Sequence, residues 1–187
     1  MKAISQSHKR LRQVIDLVAG QEEIDYTAVV QFIHERLVSE FGPATARDFV
    51  ACTCGTQAMD SWIASALNFC FPDINPVWLW KGMGKMVYRL LAPQMLWGCW
   101  ITEDRPDADP PFVGVKMILN FCTDGTAFVI EDGQYVKQGG FELVRHELLI
   151  RPMGAFLIGE ITPDTLCLMA PTYPGRECDL YYFKRLK

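Results

Sequence analysis

The stretch FVGVKMILNFCTDGTAFVIEDG, residues 112–133, decides the fold. Two runs in which apolar residues recur at alternate positions are separated by Thr123-Asp124-Gly125, and Asp132-Gly133 follows the second run. Alternation with a period of two is typical of a half-buried β-strand, and Asp-Gly between such runs is a strong hairpin signal. The stretch therefore predicts two antiparallel strands joined by a tight turn, with a second turn leading onward.

The same pattern continues on both sides of this hairpin. The connections are short, including the turn signal Gly139-Gly140, and parallel strands would need long crossovers, so consecutive strands should be antiparallel neighbours. An open meander leaves two unpaired edges, which closure removes. We therefore predict a closed eight-stranded meander barrel. Its predicted strands are Leu96–Thr102, Phe112–Cys122, Thr126–Glu131, Phe141–His146, Leu148–Pro152, Phe156–Thr162, Thr165–Ala170 and Asp179–Leu186.

Before residue 95 the apolar residues recur at helical spacing instead. Several of these segments are apolar on more than one face, which is typical of buried helices. The fold class is therefore predicted as α+β, with a helical bundle over residues 1–93 followed by the barrel over residues 96–187. The predicted helices are Ser5–Val18, Tyr26–Glu40, Ala44–Cys54, Thr56–Phe69 and Val77–Leu91.

Composition argues against several classes of protein. The 187 residues carry a net charge of −4 and form no basic stripe, which disfavours nucleic-acid binding. No uncharged apolar run reaches the roughly 18 residues that span a bilayer, and the N-terminal residues do not resemble a secretory signal. Seven irregularly spaced cysteines fit reduced thiols better than a disulfide framework. We expect a cytoplasmic protein.

Gly98-Cys99-Trp100 resembles the Gly-x-Trp signature of lipocalins and related calycins, and Phe121–Thr126 is similar to a hairpin of small bacterial lipocalin-like domains. In that family the signature tryptophan packs at the closed end of the barrel, beneath a basic residue of the last strand. The resemblance implies that Trp100 is covered by Arg185, or by Lys184 if the register differs. It extends over residues 96–187 through Phe141-x-Leu143, Leu148-x-Ile150, Phe156-x-Ile158, Thr162-Pro163-Asp164-Thr165-Leu166 and the terminal Tyr181–Arg185 strand.

Within the predicted barrel, the alternation also predicts a pocket. An eight-stranded barrel has room inside for side chains or one small ligand. Arg145, which shares a strand face with Phe141 and Leu143, is predicted to meet an anionic head group. The predicted apolar lining is Val115, Met117, Leu119, Phe128, Phe141, Leu143 and Phe183.

No catalytic, metal or cofactor site is predicted. The histidines His8, His34 and His146 have no partner visible in the sequence, although His146 is expected near the barrel mouth. Cys52-x-Cys54 lacks the spacing of a zinc knuckle. The acidic loop Glu103–Pro110 lacks the glycine and distal glutamate of a calcium loop and is expected to cross the mouth as a solvated lid.

These observations favour a non-catalytic protein that binds a small apolar or amphipathic molecule in its barrel, with the helices capping or accompanying it. Two alternatives stay open. One is a protein-interaction module, of the inhibitor or immunity type, with a filled barrel and a partner surface on the helical half. The other is a cofactor-free isomerase or cyclase that uses the barrel cavity to steer its substrate.

Overall fold

In a computed structural model of the protein, helices form the first part of the chain and strands the second, which confirms the α+β class. The chain divides into two units. The first is Met1–Val87 with Thr172–Glu177, and the second is Tyr88–Pro171 with Cys178–Lys187. The structure describes residues 2–88, 91–108, 111–114, 116–151, 153–174 and 178–186.

The first unit is built from helices around an apolar core. Asp25, Asp60 and Asn75 each cap a helix N-terminus by accepting hydrogen bonds from backbone N–H groups of the first turn. None of the helices in the described part of the chain is long and apolar enough to cross a bilayer. The helices are α1 (Lys2–Glu22), α2 (Tyr26–Phe41), α3 (Pro43–Thr53), α4 (Ser61–Cys70) and α5 (Pro76–Lys81).

The last helix is much shorter than the sequence predicts. It was expected over Val77–Leu91 but ends at Lys81, because Gly82 adopts the left-handed conformation with φ 79°. Arg10 of α1 completes this helix end. Its Nε and Nη2 atoms donate to the carbonyl oxygens of Leu79 and Trp80 at 2.9 and 2.6 Å. A glycine within an apolar run therefore ended the helix where hydrophobicity alone predicted that it would continue.

The second unit is a closed antiparallel barrel in which the strands pair in sequence order and the last pairs with the first. This confirms the predicted closure. A short 3₁₀ turn, Pro93–Met95, precedes the first strand. The strands are β1 (Gly98–Thr102), β2 (Met117–Phe121), β3 (Thr126–Glu131), β4 (Gln134–Val144), β5 (Glu147–Ile150), β6 (Gly154–Ile161), β7 (Thr165–Met169) and β8 (Leu180–Arg185).

Because consecutive strands are antiparallel neighbours, the connections alternate between the two ends of the barrel. We call the end with the β1–β2, β3–β4, β5–β6 and β7–β8 connections the open end. The opposite end, where β1 begins and β8 finishes, is called the closed end. The β4–β5 turn lies at the closed end, and the long β1–β2 connection lies at the open end.

Strand β4 departs most from the prediction. It begins at Gln134 rather than at Phe141, and Gly139-Gly140 lies inside the strand rather than in a turn. The first part of β4 pairs with β3 and the last part pairs with β5. A Cβ atom on Gly139 would lie 1.9 Å from the carbonyl oxygen of Arg151, whereas one on Gly140 would lie 3.8 Å from that of Gly125. Gly139 is therefore required by a close backbone approach.

These two neighbouring glycines form a matched pair for a stability test. Gly139→Ala should lower the free energy of unfolding by about 1–3 kcal/mol, because the backbone must shift to admit the methyl group. Gly140→Ala should change it by less than about 0.5 kcal/mol, because its methyl group meets only an ordinary contact. Urea denaturation followed by circular dichroism measures both changes. Equal midpoints for the two variants would contradict the close approach at Gly139.

Candidate ligand-binding cavity

Trp100 and Arg185 seal the closed end of the barrel. Trp100 is fully buried, and its indole Nε1 donates a hydrogen bond to the carbonyl oxygen of Leu96 at 2.6 Å. The two residues are direct cross-strand partners, and the Arg185 guanidinium lies 4.2 Å from the centroid of the indole ring. This distance is within the range of a cation–π contact.

The same guanidinium also donates hydrogen bonds to backbone carbonyl oxygens of other chain segments at this end. Its Nε donates to the carbonyl oxygen of Pro163 at 2.6 Å, and its Nη2 donates to that of Met95 at 2.7 Å. Its Nη1 donates to the carbonyl oxygen of Trp97. The planar fork of an arginine suits several acceptors at fixed angles, which a lysine ammonium matches less well. The segment before β1, the β6–β7 turn and β8 are therefore joined by one side chain.

Above this floor the barrel interior is packed with apolar side chains. Phe121 and Phe141 meet edge to face, with their ring centroids 5.0 Å apart. Side chains that fill the interior leave no room for a ligand at this level. Buried members of this cluster include Leu96, Phe121, Ala127, Val129, Leu148, Ile150, Ile158 and Leu166.

A cavity of about 270 Å³ lies above this packed part of the interior. Most of its wall is apolar, and the exceptions are the side chains of Glu131, Lys137 and Tyr181. Burial raises the pKa of the Tyr181 hydroxyl further above the neutral range, and the protonated hydroxyl can donate a hydrogen bond. The lining residues are Met117, Leu119, Glu131, Lys137, Met153, Phe156, Leu168, Tyr181 and Phe183.

Five of the predicted pocket residues face the barrel interior. Met117, Leu119 and Phe183 line the cavity. Phe141 and Leu143 instead pack against the apolar cluster of the interior and do not belong to the cavity wall. That these residues contact a ligand stays a prediction.

Three other predicted residues are placed differently. Phe128 is opposite Asn120 in the β2–β3 register, on the outer face, so its predicted inward orientation is wrong. Arg145 lies in the β4–β5 turn, exposed and with φ 56°, and therefore at the closed end rather than beside the cavity. Val115 lies outside the described residues.

Sequence reasoning missed six of the nine lining residues. The error in β3 has a clear cause. Its two faces are both apolar, and the pairing of Leu119 with Val129 turns Val129 inward and Phe128 outward. Glu131 then shares the inward face with Val129. Lys137 was missed because the first part of β4 was not predicted as strand, although its pairing with Val129 also places it on the inward face.

The acidic β1–β2 connection lies at the open end. Arg105 pairs with Phe112 through two backbone hydrogen bonds, and its guanidinium lies 3.2 Å from the Glu103 carboxylate. The Phe112 ring meets the ring of the cavity residue Tyr181 edge to face, with their centroids 5.5 Å apart. This connection therefore contacts the cavity wall, and the predicted role of a lid stays a prediction.

The histidines do not lie at the cavity. His146 is buried in the β4–β5 turn, where its ring stacks on that of Tyr88 with their centroids 3.6 Å apart. Its expected place near the barrel mouth is therefore wrong. His8 lies in the helical unit, where its Nδ1 is 3.2 Å from the carbonyl oxygen of Cys52. Among the described residues, no group of three or more His, Cys, Asp or Glu side chains is arranged to hold a metal ion.

Comparisons with known proteins gave no match: no family model, no curated protein and no solved structure is similar to the chain.

The contacts of Arg185 predict its contribution to stability. Arg185→Met should lower the free energy of unfolding by about 2 kcal/mol, because it leaves three carbonyl oxygens without this charged donor. Arg185→Lys should restore only part of the loss, since an ammonium does not reproduce the fork. Lys184→Met, at an exposed neighbouring position, is the matched control and should cost less than about 0.5 kcal/mol. If Arg185→Met were no more destabilising than the control in urea denaturation, Arg185 would not hold the closed end.

The thiols predict an ordered pattern of chemical reactivity. Burial raises the pKa of Cys52, Cys167 and Cys178 to about 12, whereas Cys54 is exposed. Because the thiolate is the nucleophile, iodoacetamide should label Cys54 well before these three in the native protein. Peptide mapping by mass spectrometry measures the order. Labelling of Cys167 before Cys54 would contradict the burial.

The same pKa shifts set the direction of a pH effect on stability. The ordinary thiol value is 9.0, so the unfolded chain loses these protons at a lower pH than the folded chain does. Their contribution to stability is therefore complete below pH 9.0 and is lost as the pH rises toward about 12. The midpoint of urea denaturation should fall over that interval, and a Cys167→Ala variant should show a smaller fall.

Proposed function

We propose that this protein binds a small, largely apolar molecule inside its barrel, as a lipocalin-like binding protein of the cytoplasm. One observation carries the proposal: the barrel holds a cavity of about 270 Å³ with a mostly apolar wall, above an interior that is packed and sealed. Ligand sites are typically concave and mainly apolar, with a few polar groups that fix orientation. The cavity has this composition.

The likeness to calycins is supported by the closed end. The Gly-x-Trp motif supplies Trp100, and Arg185 of the last strand lies over its indole ring. The cytoplasmic location is supported by the cysteines, all seven of which are free thiols. Free thiols persist in reducing compartments, where disulfides are rare.

A protein-interaction module is the second candidate function. It is favoured by two aromatic side chains on the helical unit, Phe32 and Phe69, which are 47% and 51% exposed. The ring centroids of Phe69 and Phe41 are 5.3 Å apart in an edge-to-face contact, and those of Phe32 and Phe71 are 6.3 Å apart. Each exposed ring therefore lies against a second aromatic ring. Aromatic residues are enriched where protein partners bind.

Filling the cavity tests the first candidate. Leu168 lines the cavity from β7, whereas Ile118 lies on the outer face of β2, opposite Ile101 and Ile130. Leu168→Phe should weaken binding of 1-octanol roughly tenfold or more, equivalent to about 1.4 kcal/mol, because the added atoms occupy the ligand volume. Ile118→Phe is the matched control and should bind 1-octanol as the unaltered protein does. Isothermal titration calorimetry measures both affinities.

Native mass spectrometry of the purified protein separates the two candidates. A small molecule retained by the unaltered protein and lost in Leu168→Phe is the result expected of a binding protein. Undetectable 1-octanol binding, together with a stoichiometric polypeptide partner that Phe69→Ser releases, would overturn the proposal in favour of an interaction module.

A further inference from the structure

The wall of the cavity changes character along the barrel axis. Leu119, Leu168 and Phe183 are buried and apolar, whereas Glu131 and Lys137 are exposed and charged. Glu131 is the last residue of β3 and Lys137 lies in the first part of β4, on the two sides of the β3–β4 turn at the open end. A ligand in this cavity would therefore meet apolar side chains at its inner end and charges at its outer end.

The strand register directs both charged positions inward. Glu131 is the cross-strand partner of Met117, and Lys137 is the partner of Val129; both partners are buried in the barrel interior. Cross-strand partners share a face of the sheet, so Glu131 and Lys137 are on the inner face rather than on the solvent face. The register between β3 and β4 shifts between Val129 and Ile130, as at a β-bulge, and Lys137 is the last β4 residue paired before that shift.

Two opposite charges at one rim favour a particular head group. A ligand with one charge would meet one attractive and one repulsive side chain, and a neutral ligand would gain from neither. A head group with both charges can pair its ammonium with Glu131 and its carboxylate or phosphate with Lys137. Such charge-assisted hydrogen bonds are stronger than neutral ones.

The volume of the cavity limits the length of the ligand's apolar tail. At about 30 Å³ for each water-sized group, a volume of about 270 Å³ holds roughly nine such groups. A short unbranched chain fits this volume, and its outer end would reach the charged rim. The Tyr181 hydroxyl supplies one further polar group on the wall.

We propose that the barrel takes an amphiphile with a short apolar tail and a zwitterionic head group, held by Glu131 and Lys137 at the rim. The inference rests on the proposed function and adds the chemical class of the ligand. It makes Glu131 and Lys137 the residues that determine specificity, whereas the apolar wall supplies affinity for any tail of suitable length.

The test varies only the head group. The probes are 1-octanol, octanoate, octylamine and 2-aminooctanoate, which at neutral pH are neutral, anionic, cationic and zwitterionic, and calorimetry gives each affinity. The unaltered protein should bind 2-aminooctanoate about tenfold more tightly than each of the other three. Glu131→Gln and Lys137→Gln should each remove that preference, so that 2-aminooctanoate no longer binds more tightly than the other three probes. Lys116→Gln and Glu142→Gln, at exposed positions that do not line the cavity, are matched controls and should keep the preference.

The outcomes separate this inference from the proposed function. Equal affinities for the four probes, a preference for octanoate or octylamine, or a preference that survives both rim variants would overturn the zwitterionic head group while 1-octanol binding upholds the cavity. Failure of the unaltered protein to bind any of the four probes would overturn the proposed function and the inference with it.

Discussion

The pairing of β8 with β1 is the constraint on which the barrel depends. Without it, eight strands form an open sheet with two edges of unpaired backbone groups. The register of this pair sets Arg185 opposite Trp100, and the guanidinium then reaches three carbonyl oxygens that belong to segments far apart in the chain. Ring closure and the seal of the floor are thus consequences of a single strand pairing.

Because only one end of the barrel is sealed, the two ends of its interior differ. The inner side chains near the closed end are buried in one apolar cluster, and the cavity lies toward the other end. Eight strands enclose little more than the volume of their own side chains, so a cavity of this kind depends on which residues face inward. Because Glu131 and Lys137 face inward beside the open end, the space is apolar inside and charged at its rim. This gradient is what makes the barrel suited to an amphiphile.

The sequence was sufficient for the class of fold and for the closure of the barrel, because alternation and tight turns restrict neighbouring strands to antiparallel pairs. The sequence did not decide the orientation of a residue or the place of a turn where two local conformations fit the same pattern of residues. In β3 both faces are apolar, so only the pairing with β2 decides that Val129 points inward and Phe128 outward. Gly139-Gly140 is equally compatible with a turn or with a strand that another backbone approaches closely, and the contact with Arg151 decides for the strand.

The charged rim was missed for the same reason. Glu131 ends β3, whose two faces are both apolar, and Lys137 lies in the part of β4 that the sequence predicts as a connection. Polar residues next to a turn are ordinary on solvent-facing positions, so neither residue gave a local signal. Their inward orientation follows from long-range register, which a single sequence does not display.

The cavity itself is tested most directly by methyl NMR of the isotopically labelled protein during titration with 1-octanol. Chemical-shift changes should be confined to the methyl groups of the cavity wall, while the signals of the packed closed end and of the helical unit stay in place. Changes confined to the helical unit, or none at saturating 1-octanol, would contradict a ligand site inside the barrel. The wall methyl groups to follow are those of Met117, Leu119, Met153 and Leu168, and the reference groups are those of Leu148, Leu166, Leu37 and Leu79.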